Sequence, residues 1–347
     1  MHYTLEELKK EDFDKWNEFV KENKLTIFHT IKWKKVLESS FGFKPIYYIV
    51  KNENNEVVGV APAFICRNFF KKAIVSMPFF EYGGPFVKEG YKESYKTIFN
   101  KYKKLVDNGE IDFVKIRSLQ FDEDYGKIGF NKQLEAYDFY LDIEGKNFED
   151  IWNSFTKDSG IRTEFNKSVR NGVKTKTEKA PEILYNLVVK KDAKLGSPSF
   201  TKKFYLNVIR FLGSNSYYVT SYLEDNLLAS MVSLKWGDEL LLHQMGSDAS
   251  YFNKSSTDIL FVEQIRFAIE NRLKKVDFGR SKLDSGHSFF KEKYQCAKRD
   301  LHDYYYPADF SEDRYKGRGF GQKLIKKLPW LFTKTFFGGW LRKNIGL

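Results

Sequence analysis

Residues 216–236, SYYVTSYLEDNLLASMVSLKW, contain two runs of β-branched and aromatic residues that a short polar turn joins. This pattern predicts a β-hairpin. Residues 45–65, PIYYIVKNENNEVVGVAPAFI, repeat the pattern around an asparagine-rich turn. A tyrosine pair opens each hairpin, at Tyr47-Tyr48 and again at Tyr217-Tyr218, 170 residues further along the chain. The two hairpins therefore indicate an internal duplication.

A strand that follows each hairpin is repeated as well. Asp112-Phe113 and Asp277-Phe278 lie 165 residues apart, and each follows a predicted helix and precedes an Arg-Ser pair. Hairpins followed by a helix and a strand, twice over, predict a mixed α/β fold in which helices flank two mixed sheets. A polar, turn-like stretch near residues 142–150 separates the repeats. The predicted organisation is a domain over residues 1–145, a second domain over residues 146–310 and a basic amphipathic tail over residues 311–347.

Helical periodicity supplies further elements. Apolar residues at helical spacing predict an amphipathic helix from Leu5 to Asn23, and long helical stretches over about residues 148–170 and 182–212. The segment from residue 277 to residue 293 is predicted to leave a strand and continue as a loop.

The composition is typical of a globular protein from a reducing compartment. The 347 residues carry 58 Lys and Arg against 46 Asp and Glu, a formal net charge of +12, and only two cysteines. The two cysteines lie far apart, which excludes a disulfide scaffold and a cysteine-built zinc site. No apolar signal segment and no membrane-spanning run is recognised, so a cytoplasmic protein is expected. The positive charge favours nucleic acid, a phosphorylated cofactor or an anionic membrane surface as partner, although lysine-rich codon bias produces the same balance.

The common catalytic signatures are missing from the sequence. The five histidines form no HxxxH or HExxH pattern, so no metal site is predicted. No GxSxG elbow and no Walker loop is present, which removes the main support for a serine hydrolase or an NTPase. No tightly bound cofactor is expected.

One basic stretch remains, over residues 276–294, VDFGRSKLDSGHSFFKEKY. It leaves a predicted strand, passes through Gly279 and carries four cationic side chains. Backbone amides beside a glycine, with Arg and Lys nearby, suit a phosphate group or a developing oxyanion. The alternative is a solvated basic loop that binds no ligand. The four cationic residues are Arg280, Lys282, Lys291 and Lys293.

Several ordered motifs resemble those of FemAB-type proteins, the tandem GNAT-fold transferases that include the non-ribosomal peptidoglycan aminoacyltransferases. In the first half these motifs are Phe28-His29 with Trp33, Phe41-Gly42 with Pro45, Met77-Pro78-Phe79 and Tyr82-Gly83-Gly84-Pro85. In the second half they are residues 162–173, RTEFNKSVRNGV, then Leu195-Gly196 with Pro198 and Phe200, Asp277-Phe278-Gly279-Arg280-Ser281, Ser285-Gly286 and Phe290-Lys291. The resemblance covers about residues 25–335 and is strongest to the FemAB-like proteins of exopolysaccharide and PEP-CTERM systems. It implies two GNAT-like domains in tandem.

The resemblance also implies a reaction, the transfer of an acyl or aminoacyl group to an amine of a cell-envelope precursor. Such a precursor is peptidoglycan or a polysaccharide, in some cases lipid-linked, and the donor is aminoacyl-tRNA or acyl-CoA. Lys291 is expected to stabilise the negative charge of the tetrahedral intermediate, and Arg280 to bind a phosphate or to anchor its loop. His243 is a candidate proton acceptor or a core histidine. The residues assigned to substrate binding are Gly83, Gly84, Arg162, Arg170, Gly279, Ser281 and Gly286.

A second candidate site lies in the tail. Arg314, Gly317 and Gly319 fit the R/Q-x-x-G-x-G pattern with which GNAT enzymes cradle the pyrophosphate of coenzyme A at a helix N-terminus. This site predicts an alternative function, an acyl-CoA-dependent acetyltransferase that acts on an amino sugar or another small amine.

Two further alternatives stay open from the sequence. The apolar and basic end of the tail suits either peripheral contact with an anionic membrane surface or packing on its own domain. A function of another class is a non-catalytic protein that binds RNA or another polyanion. No inserted helical arm for tRNA contact is recognised, a departure from the peptidoglycan enzymes that counts against a tRNA donor.

Overall fold

The structure is a computed structural model that describes residues 2–68, 71–118, 128–254 and 257–310 together with Arg342. The chain divides into two compact units. Unit 1 comprises Met1–Ala136, Asp300–Lys316 and Lys343–Leu347, and unit 2 comprises Tyr137–Arg299 and Gly317–Arg342. The predicted domain boundaries at residues 145 and 310 mark where the sequence repeats end, and they stay predictions.

Unit 1 consists of a mixed sheet with three helices among its described residues. The helices are α1 (Phe13–Glu22), α2 (Ile31–Phe41) and α3 (Tyr95–Asp107). The strands are β1 (Thr4–Glu7), β2 (Lys44–Lys51), β3 (Val57–Arg67), β4 (Lys72–Val75), β5 (Phe86–Val87), β6 (Phe113–Ser118) and the unit 1 part of β13 (Ala297–Tyr306). The strand order is β1-β2-β3-β4-β6-β13, with β5 paired to β3.

Unit 2 repeats this design. Its helices are α4 (Phe148–Ser154), α5 (Ile161–Arg170), α6 (Pro181–Leu195), α7 (Lys202–Leu212), α8 (Asp258–Glu270) and α9 (Gly286–Lys293). Its strands are the unit 2 part of β7 (Asn131–Asp142), β8 (Val173–Thr177), β9 (Ser216–Leu223), β10 (Asn226–Trp236), β11 (Glu239–Ser247) and β12 (Lys275–Ser281). The strand order is β8-β9-β10-β11-β12-β7.

The two sheets have the same pairing pattern. In each sheet the first four strands are antiparallel, the fifth is parallel to the fourth, and the sixth is antiparallel again. A helix, α3 or α8, connects the two parallel strands, because a parallel pair needs a crossover connection. The predicted mixed α/β fold and the predicted duplication are therefore confirmed.

Each sheet takes its sixth strand from an unexpected part of the chain. In unit 1, His302–Tyr306 of β13 pair with Ser118–Val114 of β6, so the sheet is completed by residues that follow the whole of unit 2. In unit 2, Tyr137–Asp142 of β7 pair with Ser281–Lys275 of β12, so the sheet is completed by residues that directly follow unit 1. In a simple duplication each sixth strand would follow its own repeat.

Each unit buries its own apolar core. In unit 1 the core packs α3 against the sheet through the rings of Tyr95, Phe99 and Tyr102. In unit 2 it packs α8 against the sheet through Leu260, Phe261 and Ile265. Each large aromatic side chain buries a large apolar area, which explains how a chain rich in charged residues forms two apolar cores.

Four local predictions are wrong. The predicted helix from Leu5 contains a strand, because Thr4–Glu7 pair with β2, and the helix begins only at Phe13. The helical stretch predicted over residues 148–170 is divided, since α4 ends at Ser154 and α5 begins at Ile161, directly after Gly160 with its φ of 71°. The stretch predicted over residues 182–212 is two helices, because α6 ends at Leu195 before Gly196, whose φ is 69°, and α7 begins only at Lys202. The predicted loop over residues 277–293 contains α9.

Among the described residues no helix is both long and apolar enough to cross a bilayer.

Candidate active site

The parallel strands β11 and β12 separate in the middle of unit 2. They pair only between Glu239–Leu241 and Lys275–Asp277, although both strands continue beyond these residues. Each strand carries a β-bulge just beyond the paired part. His243 is the extra residue in β11 relative to β10, and Phe278 is the extra residue in β12 relative to β7. A β-bulge changes the direction of the backbone and of its side chains, so the two strands diverge beyond Leu241 and Asp277. The gap between them is called the cleft below.

The bulge of β12 is shaped by Gly279, whose φ of 71° is unfavourable for a residue with a side chain. The amide of Gly279 donates a hydrogen bond of 2.6 Å to Oδ1 of Asp277. The fully buried Asp277 therefore holds the turn from inside the protein.

Lys291 reaches the same bulge from α9. Its Nζ donates to the carbonyl oxygens of Gly279, at 2.7 Å, and of Arg280, at 3.0 Å, and it lies 5.3 Å from the ring centre of Phe139. Only 9% of Lys291 is exposed. A buried ammonium group needs such hydrogen bonds, since burying it without them is costly. The carbonyls hold the ammonium in place but leave its positive charge beside the cleft.

A buried carboxylate cluster, defined as Asp138, Asp277 and Arg299, supports this bulge. Nε of Arg299 donates to Oδ2 of Asp138 at 2.8 Å, and its Nη2 lies 4.0 Å from Oδ2 of Asp277. Burial, followed by repulsion from Asp277, raises the pKa of Asp138 well above its usual range. Two buried carboxyl groups with one arginine favour a proton on Asp138. The sequence analysis did not identify Asp138 or Arg299.

The sequence analysis also did not single out Lys191 and His287. Lys191 on α6 donates from Nζ to the carbonyl oxygen of Met245 on β11 at 2.7 Å. His287 lies one turn before Lys291 on α9, and residues four apart share a helix face. Partial burial, Lys291 and Lys191 all lower the pKa of His287.

The structure brings several predicted site residues together. Gly279, Arg280 and Ser281 on β12 and Lys291 on α9 surround one bulge. Gly286 begins α9, where a methyl group would meet nothing within 4 Å, so its lack of a side chain is not required by packing.

The other predicted residues lie on different elements. Arg162 and Arg170 lie on α5, and His243 is at the bulge of β11. Burial lowers the pKa of His243 to about 3, so its imidazole is neutral at physiological pH and a weak base. The candidate coenzyme A residues Arg314, Gly317 and Gly319 lie outside the residues that the structure describes.

Gly83 and Gly84 belong to unit 1, in the loop that follows β4. The amide of Ser76 donates to the carbonyl oxygen of Lys115 at 3.0 Å, and that of Gly83 to the carbonyl oxygen of Arg117 at 3.4 Å. A methyl group on Gly84 would lie 3.0 Å from the same Arg117 oxygen. Residues 76–84 therefore pack on β6 where β4 and β6 stop pairing, the position that corresponds to the cleft of unit 2.

Buried polar groups hold this loop of unit 1. Arg117 donates to both carboxylate oxygens of Asp303, at 2.6 and 2.7 Å, and to the carbonyl oxygen of Phe80 at 3.0 Å. A ring nitrogen of His29 lies 3.0 Å from the carbonyl oxygen of Gly84. The motifs of the first half therefore converge on one packed loop.

The sequence before the helix that follows β11 does not have the glycine-rich character of a phosphate-binding loop. Helix α8 begins with Asp258, and residues 248–257 before it contain no glycine. An anion at a helix N-terminus is favoured by close backbone approach and disfavoured by an adjacent carboxylate. Among the described residues, no group of three or more His, Cys, Asp or Glu side chains is arranged to hold a metal ion.

Comparisons with known proteins bear on the segment that contains the cleft and on the fold. Residues 163–292 match the model of an acetyltransferase (GNAT) domain, and this segment includes the cleft and Lys291. No curated protein sequence matches this chain. The matched residues lie within unit 2.

Solved structures show the tandem arrangement. FemX has a TM-score of 0.67 at 12% identity, over 87% of this chain and 97% of FemX. L-PGS from Bacillus licheniformis has a TM-score of 0.59 at 16% identity, over 93% and 99%. A tandem GNAT protein from the clavulanic acid biosynthesis pathway has a TM-score of 0.57 at 10% identity, over 89% and 100%. The predicted fold of two GNAT-like domains in tandem is confirmed.

Proposed function

We propose that this protein is an acyltransferase that transfers an acyl or aminoacyl group to an amine of a cell-envelope precursor. The observation that carries the proposal is the position of Lys291, nearly buried beside the cleft between β11 and β12 within the segment that matches the GNAT domain. Gly279, Arg280 and Ser281 supply the backbone around it.

The chemistry requires stabilisation of one negative charge and removal of one proton. The amine attacks the carbonyl carbon of an ester or thioester, and the carbonyl oxygen becomes an oxyanion in the tetrahedral intermediate. A fixed positive charge in a site with little water stabilises that oxyanion more than it stabilises the starting ester. Lys291 provides this charge. Collapse of the intermediate expels the alcohol or thiol, and the amine nitrogen loses its proton.

Two observations favour an aminoacyl ester over acyl-CoA as donor. The structural likeness to FemX and to L-PGS extends over almost the whole chain. The N-terminus of α8 carries an aspartate and lacks a preceding glycine, which does not favour a pyrophosphate. The same proposal includes an envelope precursor as acceptor, peripheral membrane contact and the assignment of Arg162 and Arg170 to substrate binding.

A second candidate is an acyl-CoA-dependent acetyltransferase. The match of residues 163–292 to an acetyltransferase domain favours it. In that case the donor would be acetyl-CoA and the acceptor an amino sugar or a small amine.

Transfer assays with labelled donors test both candidates. The full chain is incubated with aminoacyl-tRNA or with acetyl-CoA, and with peptidoglycan nucleotide precursors or amino sugars as acceptors. Lys291→Met is compared with Lys282→Met, which removes an exposed charge before α9. We expect a loss of about 10²-fold in rate for Lys291→Met, the effect of removing one oxyanion-stabilising group, and little change for Lys282→Met. Full activity of a folded Lys291→Met, or no transfer from either donor, would contradict the proposal.

A further inference from the structure

We propose that Asp277 is a positioning residue for the transfer reaction, since its carboxylate fixes the turn that holds Lys291, and that Asp138 accompanies it as a neutral carboxylic acid. The inference rests on the proposed function, in which Lys291 stabilises the oxyanion. It assigns to the buried pair one negative charge, located on Asp277.

A single residue, Gly279, links Asp277 to Lys291. Its amide donates to Oδ1 of Asp277 at 2.6 Å, and its carbonyl oxygen accepts from Nζ of Lys291 at 2.7 Å. An aspartate side chain that accepts the amide two residues later stabilises a tight turn, and here the turn has the φ of 71° at Gly279. If the amide loses its partner, the carbonyl oxygen that receives Lys291 loses its fixed direction as well.

Asp138 meets the same arginine as Asp277 but has fewer hydrogen bonds. Nε of Arg299 donates to Oδ2 of Asp138 at 2.8 Å, and Nη2 of Arg299 lies 4.0 Å from Oδ2 of Asp277. Both carboxyl groups are fully buried. Oδ1 of Asp138 is buried and accepts no hydrogen bond from the residues that the structure describes. Burying a charged oxygen without a hydrogen bond is far more costly than burying a neutral one, so the shared proton belongs on Asp138.

The proton on Asp138 matters for the charge of Lys291. The other charged or titratable groups around the pair are Lys275 on β12, Arg299 on β13, Lys291 on α9 and Cys296. Burial raises the pKa of the Cys296 thiol, so this group adds no charge at neutral pH. With Asp138 neutral, the one carboxylate charge faces Arg299, and no second buried carboxylate offsets the ammonium of Lys291. Its positive charge therefore stays available to the oxyanion.

The first test observes the Lys291 ammonium group by NMR in the full chain with isotope-labelled lysine. An ammonium held by two carbonyl oxygens exchanges its protons slowly with water and gives a separate signal, which Lys291→Met assigns. We expect Asp138→Asn to keep this signal and Asp277→Ala to lose it. The matched control is Asp142→Ala, because the exposed Asp142 accepts the amide of Glu144 at 3.0 Å, the same turn bond away from the cleft.

The second test detects the proton on Asp138. Infrared difference spectra at neutral pH compare the native protein with Asp138→Asn, and we expect a protonated carboxyl band that the variant lacks. Asp277→Asn should lose the same band, because Asp138 then faces Arg299 without a neighbouring carboxylate and ionises. A difference spectrum without this band would overturn the assignment of a neutral Asp138.

The third test asks whether Asp277 acts through Lys291. Transfer rates are compared for Asp277→Ala, Lys291→Met and the double variant. We expect Asp277→Ala to lower kcat by up to about 10²-fold with little change in KM, the cost of a misplaced group. The same change should have no further effect once Lys291 is methionine. Additive losses would show that Asp277 acts independently of Lys291 and would overturn the inference.

Two further outcomes decide the inference. A Lys291 ammonium signal that persists unchanged in Asp277→Ala would overturn it. If Asp277→Ala does not fold, Asp277→Asn replaces it, and ammonium exchange as slow as in the native protein would then be the contradicting result, since a neutral acceptor binds the amide more weakly. The two spectroscopic tests need neither donor nor acceptor, so absence of transfer with the expected spectra would contradict only the proposed function.

Discussion

Gly246 provides a sharp test of how β11 and α6 fit together. A methyl group at this position would lie 2.5 Å from the backbone nitrogen of Val188, 2.6 Å from Cβ of Leu187 and 2.7 Å from its carbonyl carbon. Two of these atoms are backbone, so a side-chain rotation cannot relieve the contact, and α6 has to retreat. Overpacking a core lowers the free energy of unfolding by about 1–3 kcal/mol. Because this clash involves backbone atoms, we expect a loss of about 3 kcal/mol.

The consequence of Gly246→Ala is measurable by thermal unfolding. For a folding unit of 150–250 residues, each kcal/mol lowers Tm by about 2–4 °C, so we expect a fall of about 6–12 °C. The retreat of α6 would also draw Lys191 away from the carbonyl oxygen of Met245, which lies 2.7 Å from its Nζ in the native protein.

Gly286→Ala is the matched control. Nothing lies within 4 Å of a methyl group there, and alanine favours the first turn of α9 by up to about 1 kcal/mol. We expect an unchanged or slightly higher Tm. Equal Tm values for the two variants, measured by calorimetry at one scan rate, would refute the packing argument.

Three further predictions concern buried polar groups. Lys291→Met leaves the carbonyls of Gly279 and Arg280 without their donor, and at about 1–3 kcal/mol for each buried polar group it should lower the free energy of unfolding measurably in urea titrations. Asp303→Asn breaks the buried pair with Arg117 and should cost about 3–5 kcal/mol, whereas the exposed pair partner Glu89→Gln should cost almost nothing. Burial lowers the pKa of His29 from 6.5 to about 4, so the unfolded chain binds a proton first as pH falls. The contribution of His29 to the free energy of unfolding should therefore be constant above about pH 6.5 and fall by up to about 3 kcal/mol towards pH 4. Urea titrations at several pH values should show this slope reduced in His29→Gln, and an unchanged slope would contradict the assignment.

Local sequence patterns predicted the hairpins of both units well. The alternating and aromatic runs in residues 45–65 and 216–236 became β2 with β3 and β9 with β10, because each hairpin is encoded within about twenty residues. The strand at Thr4–Glu7 was missed since its partner, β2, lies about forty residues away. A four-residue strand has no pattern of its own that separates it from a helical turn.

The candidate site was predictable only where its parts are close in sequence. Gly279 and Lys291 are twelve residues apart, and the basic stretch that contains them drew attention to both. Asp138 and Lys191 were not identified, because each reaches the cleft from another element of unit 2 through tertiary structure. Their burial and their carbonyl or arginine partners are visible only in the folded chain.

The origin of the sixth strands has a consequence for how the protein is made. Unit 1 needs residues 300–306 to cover β6, and Arg117 needs Asp303 as its counterion. A ribosome that has completed residue 136 has to add 170 more before β13 is finished. At about 5–20 residues per second this takes roughly 10–30 s. During that interval the first unit carries an uncovered strand edge and an arginine without its carboxylate, so the nascent chain is most exposed to aggregation and to chaperones while the second half is still being synthesised.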